Sequence, residues 1–294
     1  MQIQFENVSY TYMPGTPFEE VALENVSCTI PSGMFVTVLG KTGSGKTTAL
    51  QLIKGLLKPS RGRIIYTTST EHAYKCDKQS KQEKQQLNAI WSSIGYLFQY
   101  PEHQLFEETV ERDISYGPRN LGVTEGAIKS NVLEAMEAVG LSYEQFAERS
   151  PFALSGGQMR RVAIAGVLAS KPQTMILDEP MAGLDPISKT KLIDMLYQQH
   201  LANNWTTICV SHHIDEIWQH TDHFLIFNNK RIEFIGSKQQ ILQAWQQRQI
   251  DIEPPSIVKL ALLLIDKGII KRPLTELSNE LQSSEAFARY LGGV

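Results

Sequence analysis

The sequence predicts an α/β protein built on a parallel sheet, and three observations carry that prediction. Phe35, Val36, Thr37, Val38 and Leu39 form a short, largely apolar run suited to a strand buried on both faces. Helical spacing follows at once, through Leu50, Ile53, Leu56 and Leu57. Two more short apolar runs, at residues 174–177 and 206–210, flank a helical stretch at 188–200. Strands alternating with helices mark a parallel core.

The elements can be justified in order. Residues 2–12 alternate, with Ile3, Phe5 and Val8 set against Gln4 and Glu6, which reads as a strand. Residues 13–17 hold two prolines and a glycine and read as a loop. Residues 21–30 alternate again, and Pro31, Ser32 and Gly33 mark a tight turn. These early strands are expected to form an antiparallel sheet. The helix after the first apolar run is expected to stop at Pro59.

Residues 75–88 are rich in Lys and Gln, poor in apolar side chains, and read as a solvated insertion rather than a basic binding patch. Residues 94–98 are a further strand. Residues 124–139 are an amphipathic helix with Gly140 as its cap. A terminal hairpin is expected at 224–235, around Asn228, Asn229 and Lys230. Beyond Gly236 glutamine becomes frequent, Pro254 and Pro255 break the chain, and the last forty or so residues read as short helices on a separate appendage.

Composition sets bounds on function. With 294 residues, 42% hydrophobic and 20% charged, the chain has room for one large globular domain and a small addition. A net charge of -3 exerts no global pull on nucleic acid or anionic lipid. Cys28, Cys76 and Cys209 are scattered, with no metal-binding spacing, which argues against a disulfide framework or a structural metal and for a reducing, cytoplasmic setting. No run approaches the ~18 apolar residues of a membrane span, and no signal peptide opens the sequence. Membrane contact is therefore expected only through partners.

The strongest chemical signal is Gly40, Lys41, Thr42, Gly43, Ser44, Gly45, Lys46, Thr47 and Thr48, a GxxxxGK[ST] pattern between a strand and a helix. Glycines let the backbone close around a phosphate, and the helix start points free N–H groups at it. Lys46 supplies a positive charge to the β- and γ-phosphates, and the Thr47 hydroxyl is a Mg²⁺ ligand. The second signal is the apolar strand that ends in Asp178 and Glu179. A parallel strand delivers its final carboxylates to the sheet edge where ligands bind. Asp178 is the Mg²⁺ partner, directly or through water, and Glu179 the general base for a water molecule. Read without the phosphate loop, two acids ending a strand are as readily a solvated pair as a site.

Leu154, Ser155, Gly156, Gly157 and Gln158 precede an amphipathic helix and make a second anion site by the same helix-terminus physics. This pentapeptide resembles the ABC signature, and the resemblance covers residues 1–236. Gln99 resembles the Q-loop glutamine, Gly183-Leu184-Asp185 the D-loop, and Val210-Ser211-His212 the H-switch. Tyr12 stands where that family stacks an aromatic on adenine, with Tyr10 as a second choice and a buried strand aromatic as the plain reading.

The resemblance implies a RecA-like P-loop NTPase core of ABC type, with an N-terminal antiparallel β subdomain, a helical signature subdomain over about residues 100–165, and a helical dimerisation domain over 237–294. It implies ATP and Mg²⁺ as cofactors, with Gln99 a further metal contact and Asp185 a nucleotide contact. It implies two cassettes packed head to tail, each ATP lying between the phosphate loop of one and the Ser-Gly-Gly of the other. Glu179 would activate water, His212 would order the γ-phosphate, and Lys46 and Gln99 would complete the catalytic set.

Residues 97–106, 107–110 and 116–120 are similar to the ATPases of energy-coupling factor transporters, which import vitamins and also cobalt or nickel. The opening Val8-Ser9-Tyr10-Thr11-Tyr12, followed by Pro14, Gly15, Thr16, Pro17 and Phe18, resembles the second ATPase of the vitamin-type module. The resemblance implies a sister ATPase, a transmembrane coupling protein and an interchangeable membrane substrate-binding subunit, with no nucleic acid, at the cytoplasmic face of a bacterial membrane. The tail would hold the two ATPases together; its plain reading is a passive helical cap. Met181 and His213 depart from the common pattern, where Thr and Asp are usual, and Thr47 replaces the more frequent Ser. The rival readings are a cobalt/nickel-type importer ATPase, a soluble ABC protein acting on ribosomes or DNA, and a non-hydrolysing nucleotide-gated scaffold.

Overall fold

The computed structural model describes residues 1–68, 70–75 and 79–292. The chain opens with β1 (Gln2–Tyr12) and β2 (Glu20–Ile30), which pair antiparallel with Ile3 opposite Ile30 and Tyr12 opposite Glu20. β3 (Phe35–Gly40) is buried along almost its whole length and feeds α1 (Lys46–Lys54). α1 ends at Gly55, which takes a left-handed cap at φ 76°, so this glycine and not Pro59 stops the helix.

β4 (Arg61–Thr67) and β5 (Glu71–Lys75) complete a four-stranded sheet in the order β2-β1-β4-β5. Neither strand stands out in the sequence, because their buried residues are few and bunched, at Ile64, Ile65, Tyr66 and Tyr74. The expected solvated insertion needs correction. α2 (Lys81–Ser92) occupies most of it, opened by a capping box between Ser80 and Glu83. Its Lys and Gln face is solvated, but Leu87 and Ile90 are buried. Cys76 lies outside the described residues.

β6 (Ile94–Leu97) leads through a 3₁₀ turn at Pro101–Gln104 into a helical block. That block holds α3 (Val110–Asn120), α4 (Glu125–Ala138), the short α5 (Tyr143–Phe146) and α6 (Gly156–Leu168). β7 (Thr174–Asp178), α7 (Pro186–Asn203), β8 (Thr206–Val210), the single-turn α8 (Ile214–Ile217), β9 (His223–Asn228) and β10 (Arg231–Ser237) follow. The chain closes with α9 (Lys238–Gln246), α10 (Ser256–Asp266) and α11 (Ser284–Leu291).

The main sheet runs β10-β9-β3-β8-β7-β6. It is parallel except for the β9–β10 hairpin. β3, the strand that carries the phosphate loop, therefore lies beside β8, and β8 beside β7, the acidic strand. Register brings Val210 opposite both Val38 and Asp178, so the carboxyl ends of the three strands finish together.

Three apolar clusters fill the molecule. One joins the helical block to α7 and the sheet, with Val132, Met136, Val162, Leu177 and Ile193 at its centre. A second lies between the two sheets and includes Leu50, Ile53, Tyr66, Val38 and Ile208. The third binds the tail to the core: Trp218, Phe224 and Ile226 share one cluster with Ile241, Trp245, Val258, Leu277 and Phe287. The tail packs on the core through this cluster. Among the described residues, no helix is long and apolar enough to cross a membrane.

Candidate nucleotide site

The loop between β3 and α1 has the shape the motif requires. Gly40 holds φ 145°, and a Cβ there would strike the Phe227 carbonyl. Gly45 holds φ 102°, and a Cβ would lie 2.6 Å from the Ala22 carbonyl. Only glycine accepts both constraints. A Cβ at Gly43, by contrast, would meet nothing within 4 Å.

Lys46 is buried and donates to the Gly40 and Lys41 carbonyls at 2.8 and 3.0 Å. Burial lowers its pKa, against the opposing pull of the Glu179 and Asp178 charges. The ammonium therefore sits in its own loop within electrostatic range of both acids. The Ser44 hydroxyl is buried without a hydrogen-bond partner among the described residues, an unmet polar atom inside the cradle.

Asp178 ends β7 and is buried. Burial raises its pKa, and its hydrogen bond from Tyr96 opposes that shift. The Tyr96 hydroxyl donates to Asp178 Oδ2 at 3.0 Å, and the Thr47 hydroxyl lies close enough to the same carboxylate to favour its charged form. Thr47 and Asp178, far apart in sequence, thus present adjacent hard oxygens. One hydroxyl and one carboxylate suit magnesium when nucleotide phosphates supply the remaining ligands.

Glu179 is the next residue, at a φ of 52° that non-glycine residues enter only at a cost. Its Oε1 lies 2.7 Å from His212 Nε2, and its Oε2 accepts from Gln99 Nε2 at 3.0 Å. Gln99 arrives from the end of β6, His212 from the end of β8 and Glu179 from the end of β7. A cavity of about 240 Å³ opens beside this trio, lined by Met181, Gly183, Lys189 and Glu216 among others.

The remaining predicted residues are placed as follows. Tyr12 shares a 3.1 Å hydrogen bond with the Thr48 hydroxyl, and its ring meets Tyr10 edge-on at 4.8 Å. Asp185 caps α7, accepting from Ile187 N and Ser188 N at 3.0 and 3.1 Å. Ser155 caps α6 in a capping box with Gln158, whose amide turns back to the Ser155 N–H. Leu154 is buried in the helical block, while Gly156 and Gly157 face open space. Among the described residues, no hydrogen bond or ion pair joins this loop to the phosphate loop. Lys41 reaches outward instead, 3.5 Å from Asp251. Met181 is buried in the cluster beneath the helical block, a position that rewards a long apolar side chain.

Sequence reasoning missed three contributors. Tyr96 is one. Arg160 is another: it forms a two-pronged pair with Glu102 at 2.9 and 2.8 Å and donates to the Ala182 carbonyl at 2.9 Å. It ties α6 to the turn after Gln99 and to the segment after Glu179. The third is Asp215, whose carboxylate accepts from Ser256 N at 2.7 Å and anchors the start of α10 three residues beyond His212. Each is defined by a long-range contact that leaves no local pattern in the sequence.

The family model described as ABC transporter matches residues 23–182. Among curated relatives, the energy-coupling factor transporter ATP-binding protein EcfA2 of Caldanaerobacter subterraneus subsp. tengcongensis is 42% identical over 294 residues, covering 100% of this chain and 99% of its own. The protein of the same name from Clostridium perfringens is 43% identical over 269 residues, 91% of each chain.

The chain belongs to the energy-coupling factor ATP-binding proteins of the ABC transporter family.

Solved structures agree with this family fold. The structure of cbiO1 from Clostridium perfringens, part of the ABC transporter complex cbiONQ, matches with a TM-score of 0.70 and 32% identity, over 88% of this chain and 98% of that one. The dimeric post-hydrolysis state of the ATP-binding cassette MJ0796, bound to ADP and Pi, matches at 0.66 with 27% identity, over 80% and 98%.

Proposed function

We propose that this chain hydrolyses ATP as one of two cassettes of an energy-coupling factor importer for vitamins or related micronutrients. The observation that carries the catalytic part is the Glu179 carboxylate, held between Gln99 and His212 and within electrostatic range of Lys46. Three strand ends converge on one base, beside a loop shaped for a triphosphate.

With ATP in the loop, Lys46 leaves its own carbonyls for the β- and γ-phosphates, and the Ser44 hydroxyl and the open side of Gly43 meet the phosphate oxygens. Tyr12, whose hydroxyl meets the Thr48 hydroxyl of α1, would stack on the adenine. Thr47 and Asp178, with Gln99 nearby, would hold Mg²⁺, which supplies charge neutralisation for the leaving phosphate oxygens. Glu179 accepts a proton from water; the water oxygen bonds to the γ-phosphorus, and the bond to the β–γ bridging oxygen breaks to give ADP and phosphate. His212 and Gln99 fix the orientation of Glu179 and the γ-phosphate.

The second half of each site would come from a sister ATPase. Gly156 and Gly157 face open space at the start of α6, where free N–H groups suit an anion held by another chain. Asp185, capping α7, lies in the loop that would meet the sister cassette. In the tail, Leu260 and Leu263 are exposed one helical turn apart on α10, with Ile269 just beyond, which supports its assignment as a dimerisation surface. A transmembrane coupling protein and a separate membrane substrate-binding subunit complete the complex, which places this chain on the cytoplasmic face of the membrane.

The test is Glu179→Gln in the complex assembled in its native membrane. Uptake and ATP turnover should fall by two to four orders of magnitude while ATP binding persists. Turnover at the native rate would remove Glu179 from this role. Identifying the subunits that co-purify decides between vitamin and metal-ion cargo.

A further inference from the structure

Tyr96 lies on β6, next to the acidic strand, with Tyr96 opposite Ile176 and Leu97 opposite Leu177 in the parallel register. Its ring is buried against Phe98, with centroids 4.2 Å apart, a packing role that phenylalanine would fill equally well. The hydroxyl is what distinguishes it. That group sits inside the protein and donates to Asp178 Oδ2 at 3.0 Å. A buried polar atom is tolerated only with a partner, and here the partner is the carboxylate beside the Thr47 hydroxyl.

A carboxylate at a strand end can turn about its Cβ–Cγ bond. The bond to Tyr96 removes that freedom, because Oδ2 is engaged from the β6 side. The phenol is neutral, so it changes no net charge in the site. It acts on the direction of Asp178. Outer hydrogen bonds of this kind tune how well a ligating carboxylate holds a metal.

We infer that Tyr96 is a positioning residue that orients the Asp178 carboxylate for the nucleotide-bound divalent cation. The inference rests on the reading of Asp178 as a cation ligand, and the experiment separates the two. The full-length chain would be titrated with Mg²⁺ at fixed fluorescent (N-methylanthraniloyl) ATP, as native protein, Tyr96→Phe and Asp178→Asn, with parallel nucleotide titrations in EDTA. Mn²⁺ binding in the presence of ATP, read by electron paramagnetic resonance, gives a second measure free of turnover.

Tyr96→Phe should bind the nucleotide in EDTA within twofold of native. The Mg²⁺ concentration for half effect should rise about tenfold, with a matching loss of bound Mn²⁺. Asp178→Asn should shift it at least as far. An unshifted Mg²⁺ midpoint in Tyr96→Phe alongside a shifted one in Asp178→Asn would overturn the role of Tyr96 alone. Equal loss of affinity with and without the cation would reduce Tyr96 to a packing residue. No shift in either variant would overturn the assignment of Asp178 itself, and the inference with it.

Discussion

Glu179 combines a left-handed backbone with two side-chain partners, His212 and Gln99, that arrive from different strands. Such a conformation costs on the order of 1–3 kcal/mol and persists where the surroundings over-determine it. The neighbouring Arg160 supplies part of that support by holding the Ala182 carbonyl. Arg160→Met should therefore lower stability by about 3–5 kcal/mol, because Glu102 is left as a largely buried charge without its partner; a urea melt measures this. A second prediction at this scale concerns the thiols. Burial pushes Cys28 up to about 12 and raises Cys209 as well. Both should resist alkylation in the native state. A Cys76→Ser variant should show no thiol reactive to a colorimetric disulfide reagent until it is denatured, and two afterwards.

Among the elements, the caps decide where helices begin. Ser80 with Glu83, Ser155 with Gln158, and Ser237 with Gln240 each form a capping box. Ser155→Ala should cost about 1 kcal/mol in a urea melt. ATP turnover by the assembled complex should fall further than that loss explains, since the same turn presents Gly156 and Gly157. The α2 helix shows how local signals compete. Its capping box stands in the sequence at Ser80 and Glu83, but the Lys and Gln content masks it, because Leu87 and Ile90 are the only side chains it buries. β4 and β5 are harder still to read. β4 pairs with β1, far back in the chain, and β5 pairs with β4, and their strand character comes from that pairing. By contrast, β3, β7 and β8 are buried on both faces, so their apolar runs are visible without knowledge of their neighbours.

At the scale of the molecule, the tail and the core meet over Trp218, whose indole donates to the Leu281 carbonyl at 2.6 Å. Lys238 lies under this junction, 4.9 Å from the Trp218 ring, and donates to Gln282 at 2.9 Å. Burial lowers its pKa to about 8. Below that pH the lysine is charged in both folded and unfolded chains, and the cost of burying the charge is constant. Between about 8 and the unfolded value near 10.4 the unfolded chain binds more protons, so this group makes stability rise with pH. Relative to Lys238→Met, the native chain should gain on the order of 1 kcal/mol per pH unit from pH 8 to 10, measured by urea unfolding.

The parts of the candidate site were legible in the residues alone, because each of them is local. A phosphate loop needs glycines at fixed spacing before a helix, a base needs a carboxylate at a strand end, and a helix start needs its cap. Gly40, Lys46, Thr47, Asp178, Glu179 and Ser155 all declare themselves this way. What the sequence left open is how those parts touch. Tyr96 on Asp178, Arg160 on the Ala182 carbonyl and Asp215 on Ser256 are single contacts between residues distant in the chain, with no periodicity to betray them. They exist only once the fold has brought elements distant in the chain together: β6 beside β7 for Tyr96, α6 beside the turn after β7 for Arg160, and α8 beside α10 for Asp215.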